Sequence, residues 1–125
     1  MTPGISGARV VGEVNVFRVS VGHRMDLLIR IKRCALSNRL RLTSKARDEM
    51  EADDLDIDDI RESLMNAVAI YKTLRSINPR TGDREHLHII QSPSLTGIAI
   101  YTKGKLTTED GEETYYLLVS SKRAL

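Results

Sequence analysis

The order of the sequence patterns predicts an α+β fold in which N-terminal helices pack on one face of a C-terminal antiparallel β-sheet. Apolar residues recur at helical spacing up to Ala67, and beyond this point the pattern changes to the alternation typical of strands. Turn chemistry separates the later segments, as in Asn-Pro-Arg-Thr-Gly at residues 78–82. Helices followed by an antiparallel meander are typical of this fold class.

Three helices are predicted before the meander. The first covers residues 24–36 and has an apolar stripe of Leu27, Leu28, Ile31, Cys34 and Ala35. After a short strand at residues 40–42, Ser44 is expected to cap a second helix. Asp56 is expected to cap the third, whose stripe consists of Ile57, Ile60, Leu64 and Ala67. The predicted strands of the meander are residues 68–74, 87–92, 97–103 and 114–121, with a polar loop at 104–113.

Length and composition indicate one domain, which we place at residues 22–125. The chain has 125 residues, 41% of them hydrophobic, which suits a single compact core. Residues 1–21 are expected to form an N-terminal arm with at most one strand, because their valines alternate only briefly. Neither a targeting segment nor a membrane span is expected, because apolar runs are short. The single Cys34 excludes an internal disulfide and favours a reducing, cytoplasmic setting.

Charge is distributed in two opposed blocks. Residues 22–47 contain eight basic residues and one acidic residue, whereas residues 48–62 contain nine acidic residues and one basic residue. We expect the acidic block to consist mostly of helix caps and a solvated helix face. Pairing of the two blocks between chains would produce a homodimer, which is a further expectation.

Several classes of site are excluded by the sequence. It has no Walker-type phosphate loop, no Gly-x-Gly-x-x-Gly and no Gly-x-Ser-x-Gly elbow. His86 and His88 would point to one face of a strand and supply two metal ligands, but no third ligand is evident nearby. We therefore expect neither a metal nor another cofactor. Cys34 lies in an apolar stripe, which favours a core thiol over a nucleophile.

Cationic residues on the predicted strands suggest a phosphodiester substrate. Residues 63–108 contain six basic and two acidic residues, and these side chains can converge on the face of the sheet that the helices leave open. Cleavage of RNA without a metal needs a proton acceptor, a proton donor and cations at the phosphoryl oxygens. The expected catalytic residues of this set are His88 and Arg75, and the expected RNA-binding residues are Arg80, Arg84, His86, Lys103 and Lys105. The alternative is that these side chains form only a solvated sheet face.

Three segments carry a recognisable pattern. They are Leu-Thr-Ser-Lys-Ala-Arg-Asp-Glu-Met at residues 42–50, Leu-Asp-Ile-Asp-Asp-Ile-Arg-Glu-Ser-Leu at 55–64 and Leu-His-Ile-Ile at 87–90. Together they resemble small prokaryotic toxin-like proteins related to MqsR, BrnT and RelE, over about residues 25–122. That group typically reads T-x-H-A-x-x-R-M, then a helix with a V-x-x-x-L stripe, then a strand of the L-H-V-V kind. This chain departs from the first motif at Lys45, where the family often has His.

The resemblance implies a RelE-like fold and a metal-independent endoribonuclease that cleaves mRNA. It also implies that the protein is the toxin of a toxin–antitoxin pair and is neutralised by a cognate antitoxin. MqsR-type toxins end with a basic residue in a V-S-x-K setting, which Val-Ser-Ser-Lys at residues 119–122 fits. Lys122 is thereby the first candidate for contact with the scissile phosphate, and Tyr101 is the best match to a tyrosine on the preceding strand.

A second hypothesis is that the protein has the same fold but no catalytic activity. Because Lys45 replaces the motif histidine, the chain is also compatible with a catalytically inactive module that binds nucleic acid or a protein partner. Such a module would bind RNA or DNA in a salt-dependent way, or form a stable protein complex, without cleavage.

Overall fold

The computed structural model describes residues 21–109 and 112–125. It confirms the α+β class, with three helices and a five-stranded mixed sheet among these residues. The helices are α1 (Val21–Leu36), α2 (Ser44–Ala52) and α3 (Ile57–Asn66). The strands are β1 (Leu40–Leu42), β2 (Lys72–Ile77), β3 (Arg84–Pro93), β4 (Ala99–Glu109) and β5 (Glu112–Arg123). The predicted arm lies outside the described residues, except for Val21, which begins α1.

The predicted helical stripes are confirmed by burial. The core contains Leu28, Ile31, Cys34 and Ala35 of α1 together with Ile60 and Leu64 of α3. α3 begins with the expected cap, because Asp56 accepts a hydrogen bond from the Asp59 amide and the Asp59 carboxylate accepts one from the Asp56 amide, both at 3.0 Å. None of the described helices combines the length and the apolar composition needed to cross a membrane.

The cap of α2 is Thr43, and the prediction of Ser44 was wrong by one residue. The Thr43 hydroxyl accepts a hydrogen bond from the Ala46 amide at 3.1 Å. The Thr43 amide donates to the Leu118 carbonyl at 3.0 Å. This tie to the sheet holds Thr43 in the extended conformation that a cap requires. The cap is therefore selected by strand pairing at the end of β1.

The sheet is mixed, which corrects the expectation of a purely antiparallel one. Its strand order is β1-β5-β4-β3-β2, and β2 to β5 form the predicted antiparallel meander. β1 pairs in parallel with β5, from Leu40 opposite Tyr116 to Leu42 opposite Leu118. A three-residue strand between two helices does not indicate its partner, which lies 76 residues later in this chain.

Two strand boundaries were also predicted wrongly. The supposed loop at residues 104–113 is mostly strand, since β4 continues to Glu109 and pairs with β5 through Lys105 and Thr107. The first strand of the meander begins at Lys72, whereas Val68 is 88% exposed outside it. Lysine and threonine do not signal a strand by hydropathy, and here the hydrogen bonds of the partner strand decide the outcome.

Alternation along the strands divides the sheet into two faces. The three helices pack on one face, where Ile90, Ile100, Tyr116 and Leu118 join the core. We call the opposite side the outer face. Strand register places on it, in order across the sheet, Arg41 of β1, Tyr115, Leu117 and Lys122 of β5, Tyr101, Lys103, Lys105 and Thr107 of β4, Glu85, Leu87, Ile89 and Gln91 of β3, and Lys72 and Leu74 of β2.

Gly104 is the point of closest approach between β4 and the core. A Cβ atom at this position would lie 2.7 Å from two ring carbons of Tyr116 and 2.8 Å from the Leu117 carbonyl oxygen. The Tyr116 ring is fully buried and its hydroxyl donates to the His88 carbonyl at 3.4 Å. The missing side chain of Gly104 therefore makes room for the largest side chain of the core.

We predict that Gly104→Ala destabilises the fold by about 1–3 kcal/mol, the usual cost of forcing extra volume into a packed core. Urea unfolding monitored by circular dichroism measures this change. The matched control is Gly22→Ala in α1, where a new Cβ meets nothing within 4 Å. In a helix, that change should leave stability unaltered or raise it slightly. Equal stability of the two variants would contradict the packing role of Gly104.

Candidate functional site

Three polar side chains lie in one row across the outer face. In the strand register, Tyr101 pairs with Gln91 of β3 on one side and with Lys122 of β5 on the other. The Lys122 Nζ atom lies 5.5 Å from the centroid of the Tyr101 ring, within the range of a cation–π contact. The row lines an open cleft of about 600 Å³, together with Asp53 and Arg123. An ammonium, a phenol hydroxyl and an amide thus face one accessible space.

A second row lies two residues further along the same strands. Ile89 of β3 pairs with Lys72 of β2 and with Lys103 of β4. Ile89 is only 7% exposed, and the register places a lysine on each side of it. Lys103 is two residues from Tyr101 on the same strand and so lies about 7 Å along the outer face from the first row, whereas Lys72 lies on β2, one strand beyond Gln91.

The charge of Lys105 is balanced inside the sheet. Its ammonium forms an ion pair with Glu85, and Asn78 donates a hydrogen bond to the same carboxylate at 3.0 Å. The hydrogen bonds from Lys105 and Asn78 hold the pKa of Glu85 below its usual value. Lys105, which the sequence predicts to bind RNA, therefore already has an anionic partner on the outer face.

An aromatic and cationic pair lies where β1 meets β5. The Arg41 guanidinium carbon is 4.3 Å from the centroid of the Tyr115 ring, and Arg41 pairs in register with Leu117. Both side chains are on the outer face. Arginine planes and tyrosine rings are surfaces on which unpaired bases stack.

His88 lies on the other face of the sheet. It pairs with Thr73 in register, and its Nδ1 atom is 3.0 Å from the Thr73 hydroxyl. Only 4% of the residue is exposed. Burial, with smaller contributions from the charges of His86, Arg30 and His23, lowers the pKa of His88 to about 4. His88 is thus neutral near pH 7 and is separated by the sheet from Tyr101 and Lys122.

The remaining predicted residues lie at the β2–β3 hairpin. Arg75 pairs with His86, and these two line a cleft of about 790 Å³ with Arg84. Arg80 is exposed in the turn between the strands. By position, the predicted set falls into an outer-face group, Tyr101, Lys103, Lys105 and Lys122, and a helix-side and hairpin group, Arg75, Arg80, Arg84, His86 and His88. Lys105 is nevertheless brought together with Arg84, His86 and His88, since all four line one cleft of about 500 Å³. Among the described residues, no cluster of three or more potential metal ligands occurs.

Sequence reasoning did not assign Gln91, Lys72, Arg41 or Tyr115 of the outer face to the site. Gln91 had a usable signal, because Leu87, Ile89 and Gln91 alternate along one strand and so share a face. Lys72 has no local signal that assigns it to this face, because its position opposite Ile89 requires the register. Arg41 lies on a strand whose partner is visible only in the fold.

Comparison of the chain with protein-family models, with curated proteins and with solved structures found no match.

The burial of His88 predicts a loss of stability in acid. The unfolded chain binds a proton at this residue near pH 6.5 and the folded chain only near pH 4, so the free energy of unfolding falls as the pH is lowered between these values. The full shift corresponds to about 3 kcal/mol. Urea unfolding from pH 7 to pH 4 measures it.

His88→Asn is the control, because its side chain keeps a polar partner for Thr73 but does not titrate. This variant should lose most of the pH dependence above about pH 5, while the lowered pKa values of Glu49 and Glu85 still destabilise both proteins in stronger acid. An equally steep decline in the variant would show that another group is responsible.

Proposed function

We propose that the protein is a metal-independent endoribonuclease that cleaves mRNA, with its active centre at the row formed by Gln91, Tyr101 and Lys122. The observation that supports this best is the placement of an ammonium beside a phenol ring in an accessible cleft, with the Lys122 Nζ atom 5.5 Å from the ring centroid. These are functional groups that a phosphoryl transfer needs. With the Gln91 amide, the three side chains of the row come from three adjacent strands of one sheet, which favours accurate positioning.

The proposed reaction is an internal transesterification. The ribose 2′-OH loses its proton to solvent water and attacks the adjacent phosphorus, the bond from phosphorus to the 5′ oxygen breaks, and that oxygen takes up the proton of the Tyr101 hydroxyl, which solvent then restores. The products are a 2′,3′-cyclic phosphate and a 5′-hydroxyl end. Lys122 stabilises the negative charge on the phosphoryl oxygens, Tyr101 exchanges a proton through its hydroxyl, and the Gln91 amide orients the substrate by hydrogen bonding.

The rest of the outer face is suited to holding the strand. Lys103 lies next to the row on β4, Lys72 extends the cationic surface to β2, and Arg41 with Tyr115 offers a stacking surface at the β1 edge. Among the side chains described on this face, five are basic and one, Glu85, is acidic. A single-stranded RNA bound across the strands would meet phosphate and base contacts along its path.

The toxin role and the RelE-like topology belong to the same proposal. They are supported by the sequence resemblance, whose segments fall on α2, on α3, on β3 and at the end of β5. A cognate antitoxin that covers the outer face would be the protein partner in the cytoplasm. Lys45, which stands where the toxin-like motif often has His, forms an ion pair with Glu49, with its Nζ atom 2.9 Å from Glu49 Oε2. A homodimer remains a prediction, which light scattering tests.

We predict that the purified protein cleaves single-stranded RNA in EDTA and leaves 2′,3′-cyclic phosphate ends. Lys122→Ala and Tyr101→Phe should each lower the cleavage rate about 100-fold, and Gln91→Ala about 10-fold, because each removes a transition-state contact. Gel analysis of a labelled RNA measures the rates. Expression of the wild type should arrest growth, and Lys122→Ala should restore it.

Matched controls use the same residue types away from the row. Lys32→Ala changes a lysine of α1, and Tyr71→Phe removes an exposed hydroxyl next to β2. Both should cleave as fast as the wild type. Absence of cleavage by the folded wild type, together with normal growth at high expression, would overturn the proposal.

A second candidate is a non-catalytic module that binds single-stranded nucleic acid on the outer face. It is favoured by the position of His88, because the histidine expected as acid or base is buried on the helix side and bonded to Thr73. This leaves the row without an imidazole, whereas the cationic and aromatic groups needed for binding remain.

For this candidate we predict salt-dependent binding of RNA without cleavage. The logarithm of the affinity falls linearly with the logarithm of the salt concentration. Replacing a lysine that contacts one phosphate should reduce the magnitude of this slope by about 0.7. Fluorescence anisotropy with Lys72→Ala and Lys103→Ala, compared with Lys32→Ala, measures these slopes. Equal slopes for all three variants would exclude the outer face as the binding surface.

A further inference from the structure

The edge of β5 is completed by two different partners. β1 pairs with residues Tyr116 to Leu118 and ends at Leu42. Beyond this point, α2 runs along the same edge and supplies carboxylates in place of a strand. Glu49 Oε1 accepts a hydrogen bond from the Ser121 amide at 3.1 Å, and Asp53 Oδ2 accepts one from the Arg123 amide at 2.7 Å. Backbone donors at a strand edge need such acceptors when no strand is present.

Side chains reinforce this junction. The Ser120 hydroxyl donates to Glu49 Oε1 at 2.7 Å, and the Ser121 hydroxyl donates to the Ala46 carbonyl at 2.9 Å. The Arg123 Nε donates to the Asp53 carbonyl at 3.1 Å. We call this set of contacts between α2 and β5 the carboxylate clasp.

Glu49 is held in its charged form within the clasp. Burial raises its pKa, but hydrogen bonds from Lys45, Ser120 and Ser121 outweigh the burial and leave the pKa below its usual value. The Lys45 Nζ atom is 2.9 Å from Glu49 Oε2, so the other carboxylate oxygen is left for the strand. Lys45, the residue at which the chain departs from the toxin-like motif, thus orients Glu49.

The end of α2 brings Asp53 to its position. Asp53 follows the last helical residue, and Asp54 then adopts a left-handed conformation with φ of 59°. The chain turns there, with the Leu55 amide bonded to the Met50 carbonyl at 2.9 Å. This termination directs the Asp53 side chain at the last residue of β5.

Lys122 lies between the two clasped amides. We propose that Glu49 and Asp53 are positioning residues that hold the end of β5 so that Lys122 faces Tyr101 in the cleft. This inference rests on the proposed function. β1 covers this edge of β5 only as far as Leu118, so without the clasp the Ser121 and Arg123 amides would lack these acceptors and the strand end would be held only by its pairing with β4. A displacement of about 1 Å in a reacting group can cost about 100-fold in rate.

Asp53 also lines the cleft itself, which creates a competing explanation. Its negative charge could act directly by repelling the phosphate of the substrate. Asp53→Asn distinguishes the positioning role from the charge effect. The side-chain oxygen of Asn still accepts the hydrogen bond from the Arg123 backbone amide, but the negative charge is removed. Asp53→Ala removes both the acceptor and the charge.

The experiment compares steady-state RNA cleavage in EDTA by the full-length wild type, Asp53→Ala, Asp53→Asn, Glu49→Ala and Glu49→Gln. Asp48→Ala, an exposed acidic residue of the same helix, is the control. Positioning predicts that Asp53→Ala and Glu49→Ala lower kcat about 10-fold or more with KM within about twofold. Asp53→Asn and Glu49→Gln should recover most of kcat, and Asp48→Ala should equal the wild type.

Amide hydrogen exchange gives a readout independent of turnover. The Arg123 amide should exchange faster in Asp53→Ala than in Asp53→Asn, while amides of β3 stay protected in both. Wild-type cleavage with unchanged kcat in both alanine variants would overturn the clasp alone. Asp53→Asn as defective as Asp53→Ala, or a fall in KM in both, would also overturn it. Absence of cleavage by the wild type would overturn the proposed function and this inference together.

Discussion

The arrangement of the described elements depends on how the backbone hydrogen bonds on both edges of β5 are satisfied. β5 pairs with β4 along one edge, while its other edge is shared by β1 and the carboxylates of α2. Satisfying that second edge fixes the short parallel strand, the Thr43 cap and the path of α2. Tyr116 of the same strand fills the core over Gly104. Because β5 also carries Lys122, the element that holds the core together is the one that presents the candidate site.

The sheet separates stability from the candidate chemistry. On the helix side, His88 is neutral and bonded to Thr73, and its burial costs stability in acid. On the outer face, lysines and tyrosines lie in rows with little opposing charge. The acidic block serves the architecture, since Glu49, Asp53 and Glu62 each accept a hydrogen bond from a backbone amide elsewhere in the chain. With Asp56 and Asp59 in the cap of α3, five of the nine acidic residues of the block accept hydrogen bonds from backbone amides.

The helices were predictable because their apolar stripes and the Asp56 cap of α3 are local, whereas the Thr43 cap of α2 depends on a hydrogen bond to Leu118 of β5. The alternation of Leu87 and Ile89 likewise indicated β3. The extent of β4 was not predictable, because Lys105 and Thr107 have no hydropathy signal and become strand only through pairing with β5. For the site, Tyr101 and Lys122 came from a resemblance. Their contact, and the addition of Gln91, depend on a register that no local pattern encodes.

By itself the sequence determined the class of fold, the three helices, the meander and the cationic character of the strands, since each arises from periodicity or composition within a few residues. Only the tertiary structure decided the parallel β1, the clasp from α2 and the separation of His88 from Lys122. Those features depend on contacts between segments far apart in the chain, such as Glu49 with Ser121. The period of two in a strand assigns residues to two faces, but packing of the helices decides which face is buried.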